Sequence, residues 1–206
     1  MRPLFLLLLG AAALPAQPIS FGLKGGVPLT DFIDTVTSSS GVSGFSQTKR
    51  YIVGPTVELR LPWGFAIELD ALYRKFDYQI TVTGLSPFTS NASGNDWEFP
   101  LLLKYRFASH AFVRPYVDAG VSFDTLQGLS DTVTSTVNQI TTSSPPELHN
   151  SKTIGAVLGG GLDIHFLFLH IEPEIRYTRW TSQHFTLSNV LNSNQNQAEF
   201  LVGLAF

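Results

Sequence analysis

The sequence of 206 residues contains no cysteine. Disulfides, thiolate metal sites, a cysteine nucleophile and a lipid-modified N-terminal cysteine are therefore excluded. Charged residues are also scarce, since they make up 14% of the chain, whereas soluble domains contain about 25%. Because the net charge is only -3 and no basic block occurs, nucleic acid is not an expected partner.

Beyond its first residues, the chain lacks any apolar run that approaches the roughly 20 residues of a membrane-spanning helix. The N-terminus has Arg2, then the apolar segment Leu4–Ala13, and then the small residue Ala16 before Gln17. This order is typical of a secretory signal peptide. We expect residues 1–16 to be a signal peptide that is cleaved between Ala16 and Gln17, with cleavage after Ala13 as the alternative. Residues 17–206 then form one domain.

Hydrophobic residues make up 44% of the whole chain. After the expected signal peptide, the apolar residues alternate with polar ones. A period of two indicates β-strands that have one apolar face. Eight strands are predicted at Ile19–Pro28, Lys49–Leu61, Phe65–Ile80, Asp96–Phe107, Phe112–Thr125, Lys152–Phe166, Leu167–Thr181 and Gln197–Phe206.

Short and long connections alternate between these segments, as in transmembrane barrels of the bacterial outer membrane. We therefore predict an all-β fold, an eight-stranded antiparallel up-and-down transmembrane β-barrel. The short connections are Pro62–Gly64, Ala108–Ala111 and a reversal at Phe166 and Leu167. The long ones, predicted to be four extracellular loops, are Thr35–Gly44, Ser86–Asn95, Leu126–Ser151 and Ser182–Asn196.

The alternation alone would also fit a soluble sandwich or a lipocalin-like barrel, in which the apolar face turns inward. The low content of charge favours the opposite orientation, with apolar faces in lipid. Aromatic residues near the strand ends also predict two girdles at the membrane interfaces. One girdle comprises Phe65, Phe107, Phe112, Phe166 and Phe206, and the other comprises Tyr51, Tyr73, Trp97, Phe123 and Tyr177.

The last predicted strand places Phe200, Val202, Leu204 and Phe206 on one face. A terminal aromatic residue preceded by alternating apolar residues resembles the signal by which outer-membrane barrels are handed to their insertion machinery. We therefore expect the outer membrane of a Gram-negative bacterium as the location. The expected partners are outer-membrane lipid and, during insertion, the barrel assembly machinery.

Two segments carry a resemblance to a known family. Phe21–Leu29 and Glu172–Tyr177 are similar to the corresponding strands of the PorT-like outer membrane protein beta-barrel domain family of Gram-negative bacteria. The resemblance implies a small outer-membrane barrel. It implies no particular reaction.

With the apolar faces in lipid, the charged side chains must lie inside the barrel. An eight-stranded barrel has an interior just wide enough for side chains to fill it, and buried charges require partners. We predict a plugged, ion-paired lumen formed by Lys24, Glu58, Arg60, Glu68, Asp70, Arg74, Glu98, Lys104, Arg106, Arg114, Asp118, Glu172, Glu174, Arg176 and Glu199.

No catalysis is expected. The segment Arg176–Ser182 is similar to the active-site strand of the lipid A deacylase type, but Arg179 and Thr181 stand where the catalytic His and Ser would be. His184, with Ser182 and Ser188 nearby, is the remaining candidate base.

No cofactor or metal is expected either, although His165, His170 and Asp163 could in principle ligate an ion. These residues are expected to be hydrogen-bonded inside the lumen. The glycines of the sixth strand carry no phosphate-binding pattern, because no helix follows them. They are expected to make room for bulky neighbours such as Phe76 or Tyr116.

The resulting functional hypothesis is a structural or surface-interaction protein that displays loops outside the cell, because binding residues concentrate on loops held by rigid scaffolds. Its extracellular ligand is not identified by the sequence. Two alternatives remain open, a narrow channel or carrier of small or apolar molecules, and a lipid A-modifying hydrolase.

Overall fold

The computed structural model describes residues 18–31, 33–35, 42–46, 50–83, 87–107, 111–135, 138–142, 148, 150–166, 169–187 and 191–206. The expected signal peptide and its cleavage site at Ala16 and Gln17 lie outside these residues. Among the described residues, no helix is long and apolar enough to cross a membrane.

The described chain consists almost entirely of β-strands. In chain order these are β1 (Ile19–Pro28), β2 (Ile33–Thr35), β3 (Val42–Ser46), β4 (Ile52–Arg60), β5 (Phe65–Asp70), β6 (Leu72–Val82), β7 (Phe88–Arg106), β8 (Val113–Ser135), β9 (Gln139–Thr142), β10 (Lys152–Phe166), β11 (Leu169–Trp180), β12 (Thr186–Leu187), β13 (Leu191–Ser193) and β14 (Asn196–Ala205).

Eight antiparallel strands close into a ring, in the order β1, β4, β5 with β6, β7, β8, β10, β11 and β14. Strands β5 and β6 form one barrel strand that is interrupted at Ala71. The ring closes where β14 pairs with β1, for example at Lys24 opposite Gly203. The predicted fold class, a closed eight-stranded antiparallel barrel, is therefore confirmed.

Burial alternates along each barrel strand in the opposite sense to that of a soluble protein. On β11, Ile175 is 60% exposed whereas Arg176 is completely buried. The apolar residues Leu23, Leu158 and Phe200 are likewise exposed on the outer face. An apolar surface of this extent is stable only in contact with lipid. The soluble alternative is therefore wrong, and the apolar faces point outward.

The aromatic residues occupy the two ends of this apolar surface. Phe112, Phe166 and Phe206 are exposed at the end that carries the short turns, which we call the turn end. Tyr51 and Tyr177 are exposed toward the opposite end, which we call the loop end. Both sets agree with the predicted interface girdles.

The tight turn between β4 and β5 places two successive residues at positive φ. It is a single turn of 3-10 helix over Pro62–Gly64, in which Trp63 has φ of 64° and Gly64 has φ of 86°. The amide of Leu61 donates a hydrogen bond of 2.8 Å to the carbonyl of Phe65. Trp63 is 88% exposed and extends the aromatic girdle at the turn end.

Two of the predicted loops are partly wrong. Segment Ser86–Asn95 belongs mostly to β7, and Leu126–Ser151 contains the outer part of β8 and all of β9. The Ser- and Thr-rich residues continue the antiparallel ladder, with a register shift between Ser93 and Asn95. Thr is polar but favours β-strands. The polar composition of these segments therefore did not indicate loops.

The other strand ends differ by a few residues, which is the usual uncertainty of sequence-based boundaries. Strand β4 begins at Ile52 instead of Lys49, and β6 ends at Val82 instead of Ile80. The predicted loops Thr35–Gly44 and Ser182–Asn196 overlap the short strands β2, β3, β12 and β13.

Candidate functional site

The barrel interior is filled by polar and charged side chains that project from every second strand residue. Strand β1 contributes Lys24, β7 contributes Lys104 and β11 contributes Arg176, each at most 1% exposed. Small residues make room for the larger ones. A Cβ at Gly161 would lie 2.6 Å from the hydroxyl of Tyr116, so glycine at this position allows the ring to lie inside, as expected. Phe76 instead approaches Gly94.

At the turn end, Arg106 connects three carboxylates. Its Nε donates to Asp163 Oδ2 at 2.8 Å, and its Nη2 donates to Glu58 Oε2 at 2.5 Å and to Glu172 Oε1 at 2.8 Å. Arg114 Nη2 adds a contact of 2.6 Å to Asp163. Two arginines therefore share these three carboxylates.

Two further side chains complete the turn-end layer. Arg60 is only half-buried, and its Nε lies 3.1 Å from Glu58 Oε1. His170 Nδ1 lies 2.8 Å from Asp163 Oδ1. The ring of His170 stacks on that of His165, with 4.6 Å between centroids, although His165 itself is exposed.

Lys104 lies at the centre of a cage of three carboxylates. Its Nζ is 2.5 Å from Glu68 Oε2, 2.9 Å from Glu172 Oε2 and 3.4 Å from Glu58 Oε2. The Nζ also lies 4.3 Å from the centroid of the Tyr116 ring. The ammonium therefore donates hydrogen bonds to Glu68 and Glu172 and has the carboxylate of Glu58 as a third, more distant partner.

A second cluster lies beside this cage. Lys24 pairs with Glu68, with Glu174 at 3.0 Å and with Asp70 at 3.3 Å. Arg176 contacts Glu174 at 2.7 Å and Asp70 at 2.9 Å. Charges from three different strands, β1, β5 and β11, therefore interlock across the lumen, and such networks hold strongly when every member is paired.

Toward the loop end the balance shifts to acid. Arg74 contacts Asp96 at 2.5 Å and Glu199 at 3.2 Å. Glu98 accepts a hydrogen bond of 2.9 Å from the hydroxyl of Ser122. Among the described residues of this layer, the basic groups are Arg74 and the imidazole of His184, and the carboxylates are those of Asp96, Glu98, Asp124 and Glu199.

Asp118 differs from the other predicted lumen residues. It is 3% exposed, but within the described part of the chain neither of its carboxylate oxygens has a hydrogen-bond partner. It lies beside Gly159, where a Cβ would clash with its Oδ1 at 2.2 Å. Burying a carboxylate without hydrogen-bond partners is costly, so we expect this side chain to lower the stability of the barrel.

Above the charged layers, a small apolar cluster closes the loop end. Phe185 comes from the segment after β11 and contacts Phe76 of β6 inside the barrel. The centroids of the two aromatic rings lie 5.7 Å apart, and the rings meet edge to face. The amides of His184 and Phe185 both donate to the hydroxyl of Ser193, which fixes the segment. We call the cluster the loop-end plug, and it comprises Phe76, Ile80, Ala92, Leu126 and Phe185.

The loop-end plug was not anticipated from the sequence. A signal was available, because Phe76, Ile80 and Ala92 lie on the inward face of strands that continue past the charged layers. Phe185 could not be placed, since it reaches the cluster from an irregular segment.

His184 lies directly below the plug and uses both ring nitrogens. Its Nε2 is 2.8 Å from Asp124 Oδ2, and its Nδ1 is 2.7 Å from the carbonyl oxygen of Asn150. Burial lowers the pKa of His184 below its usual 6.5. The imidazole therefore links β8 to the closing segment.

The hydrolase alternative is not supported by this geometry. In a serine hydrolase, the histidine base is hydrogen-bonded to the serine nucleophile through one ring nitrogen and to an acidic residue through the other. In His184, Nε2 contacts Asp124 and Nδ1 contacts a backbone carbonyl, so neither nitrogen contacts a serine hydroxyl in these bonds. The hydroxyl of Ser182 instead pairs with that of Thr153 at 2.8 Å. Ser188 lies outside the described residues.

Two groups of side chains have potential metal-ligating atoms within 4.8 Å of one another. They are Asp163, His170 and Glu172, and Glu58, Glu68 and Glu172. Protein cations already contact both groups, since Lys104 lies among the three glutamates. Arg106 and Arg114 contact Asp163. The arrangement therefore favours ion pairs over a bound metal ion.

The residues of the expected insertion signal lie on the last barrel strand and its end. Phe200, Leu204 and Phe206 are exposed on the outer face, at 39%, 43% and 66%, and Val202 is half-buried between them. This face contacts lipid in a membrane.

Known proteins resemble the chain in sequence and in structure. The sequence profile described as outer membrane protein beta-barrel domain matches residues 15–179. No curated protein matches the chain in sequence. The crystal structure of the outer membrane protein OprG from Pseudomonas aeruginosa has a TM-score of 0.55 and 16% identity, and the match covers 91% of this chain and 94% of that one.

A second solved structure, that of Neisserial surface protein A (NspA), gives a TM-score of 0.44 at 12% identity, with 93% of this chain and 98% of that one covered. At such low identity, the likeness to OprG supports the fold alone.

Proposed function

The chain belongs to the outer membrane protein beta-barrel domain family, and from this membership we propose that it is a non-conducting surface protein with a structural or surface-interaction role. It performs no catalysis in this role. Within the family we place it in the PorT-like branch of small barrels, in the outer membrane of a Gram-negative bacterium. Its short-turn end then faces the periplasm.

The filled lumen is the observation that carries the proposal. Side chains such as Lys24, Lys104 and Arg176 are completely or almost completely buried by their carboxylate partners. The loop-end plug lies above them, with Phe76 and Phe185 both at 0% exposure. An eight-stranded barrel filled in this way has no continuous path for solutes.

The outer extension of the barrel supports the surface role. Strands β6, β7 and β8 continue beyond the apolar surface, and β9 pairs with the end of β8. The outer face of this extension is polar, with Thr132 and Thr141 hydrogen-bonded across strands at 3.2 Å. Ile140 is 64% exposed near its tip. A rigid sheet of this kind suits the display of a binding surface outside the cell.

Export and insertion complete the proposal. Residues 1–16 act as a signal peptide that is cleaved between Ala16 and Gln17. The outward-facing residues Phe200, Leu204 and Phe206 then engage the barrel assembly machinery, with Val202 between them. The partners of the mature protein are membrane lipid and an extracellular ligand.

Conductance tests the closed lumen. We expect the purified protein, refolded in detergent and reconstituted in planar bilayers, to give no steady current at 100 mV. A reproducible open-channel current would support the narrow-channel alternative. Heat-modifiable gel migration of the same preparation verifies that the barrel is folded.

Shortening the outer sheet tests the surface role. Replacing residues 133–140 with Asn-Gly joins Thr132 to Thr141, which already pair across the strands, through a preferred two-residue turn. We expect unchanged folding and a severalfold loss of cell-to-cell adhesion. If the shortened protein retains all adhesion that the complete protein gives, the display role is wrong.

A further inference from the structure

Charges on the outer wall of the barrel are confined to one end. Among the outward-facing strand residues that the structure describes, the charged ones are Lys75, Asp77, Lys152 and Arg179. Lys75 and Arg179 lie two residues beyond Tyr73 and Tyr177, and Lys152 is in register with Thr125, two residues beyond Phe123. Cations therefore predominate where the wall leaves the apolar layer at the loop end.

A groove of about 530 Å³ runs beside one of these cations, on the outer wall between β7, β8 and β10. Its inner part is apolar, with Phe99, Phe123 and Ile154 exposed at 37%, 47% and 48%. Its outer part is polar and is formed by Thr125, Gln127 and Lys152. The groove thus changes from apolar to cationic along the membrane normal.

Lys152 is available to a ligand from the membrane. Among the described residues no carboxylate forms an ion pair with it. The other two cations of the rim differ, because one is hydrogen-bonded and the other has a carboxylate nearby. Arg179 Nη1 donates to Asn196 Oδ1 at 3.0 Å, and Lys75 has Asp77 two residues away on the same face. Asp124 lines the floor of the groove, but it is 2% exposed and its Oδ2 contacts His184.

We propose that this groove binds one phosphate-bearing glycolipid of the outer leaflet, of the lipid A type. An acyl chain lies against Phe99, Phe123 and Ile154, and a phosphate contacts the ammonium of Lys152. The apolar part faces hydrocarbon, so the occupant is a lipid. The cation at the interface selects an anionic headgroup, because charge-assisted contacts to phosphate are the stronger ones.

The test uses the full mature protein in nanodiscs of phosphatidylcholine. Purified lipid A and the same lipid after removal of its phosphates are titrated in, and bound lipid is counted by native mass spectrometry. We expect one tightly retained lipid A. We expect the dephosphorylated lipid to bind about tenfold more weakly, because a hydrogen bond to a charged group contributes roughly the free energy of a tenfold change.

A matched pair of variants locates the contact. Lys152→Gln should lose about tenfold in affinity for lipid A and none for the dephosphorylated lipid. Lys75→Gln removes the same charge from the same rim outside the groove and should leave binding unchanged. Ile154→Ser should weaken both lipids, because it makes the apolar floor polar. Heat-modifiable migration verifies that all three variants fold.

Three results would overturn the proposal. They are equal binding of the two lipids to the unaltered protein, an equal loss of binding in Lys152→Gln and Lys75→Gln, and the absence of any retained lipid. The first would mean that the groove recognises only an acyl chain. The second would mean that the rim attracts phosphate by its general charge.

Discussion

Lys104 is completely buried, yet it remains charged because the cage formed by Glu58, Glu68 and Glu172 surrounds its ammonium. Strand alternation predicts which face such a residue occupies. It does not predict which carboxylates it meets, because partners across a lumen depend on strand tilt and side-chain length. The inward position of these residues could therefore be inferred from the sequence, and their individual pairings could not.

Removing the cation from its cage should be strongly destabilising. We expect Lys104→Met to lower the free energy of unfolding by roughly 3–5 kcal/mol, because three buried carboxylates lose their common partner. Lys75→Met, which removes a rim lysine, should change it by less than about 0.5 kcal/mol. Urea unfolding in detergent micelles at neutral pH measures both, and equal midpoints for the two variants would contradict the cage.

Asp118 should behave in the opposite way. Because its carboxylate has no partner among the described residues, Asp118→Asn should raise the free energy of unfolding by about 1–3 kcal/mol. Glu174→Gln in the same region should lower it, since Glu174 contacts both Lys24 and Arg176. A loss of stability in Asp118→Asn comparable to that in Glu174→Gln would show that Asp118 is paired after all.

At the scale of elements, the closing segment after β11 carries the least predictable feature of the fold. Alternation and turn residues located all eight barrel strands, because each strand repeats a simple pattern. Phe185 and His184 lie in an irregular segment, and their contacts with Phe76 and Asp124 bridge about 109 and 60 positions of sequence. Local sequence patterns carry no information on contacts of that range.

This segment should respond to pH through His184. Burial lowers its pKa below the usual 6.5, so its contribution to stability is fully present above pH 6.5 and is lost as the pH falls through the lower folded-state value. The charged groups that face it are Asp124, Asp96 and Arg74. We expect protection of amides 181–187 against hydrogen exchange, corrected for intrinsic rates, to decrease between pH 7.5 and pH 5.

A substitution separates this effect from general acid sensitivity. His184→Gln has no titrating ring, so its protection factors over the same amides should be independent of pH in this range. Unchanged protection in the unaltered protein at pH 5 would mean that the imidazole does not control the closing segment.

For the whole molecule, composition and periodicity together determined the architecture. The alternation of Ile175 and Arg176 on β11 fits a soluble barrel and a membrane barrel equally well, and the scarcity of charge decided between them. The extent of the outer strands was missed, because Thr- and Ser-rich segments such as Thr132–Ser135 are polar and yet remain in β-structure. The account as a whole depends on apolar faces in lipid around a sealed, charged interior.

Because the chain has no cysteine, two single-cysteine variants test this claim directly. Leu158 is 63% exposed on the outer face, and Ser122 is completely buried inside the barrel. A spin label at Leu158→Cys should collide readily with oxygen and poorly with a water-soluble nickel reagent. The thiol of Ser122→Cys should react with a small cationic thiosulfonate only after unfolding in urea. Rapid reaction of Ser122→Cys in the folded protein, or a label at Leu158→Cys that is shielded from oxygen, would contradict the account.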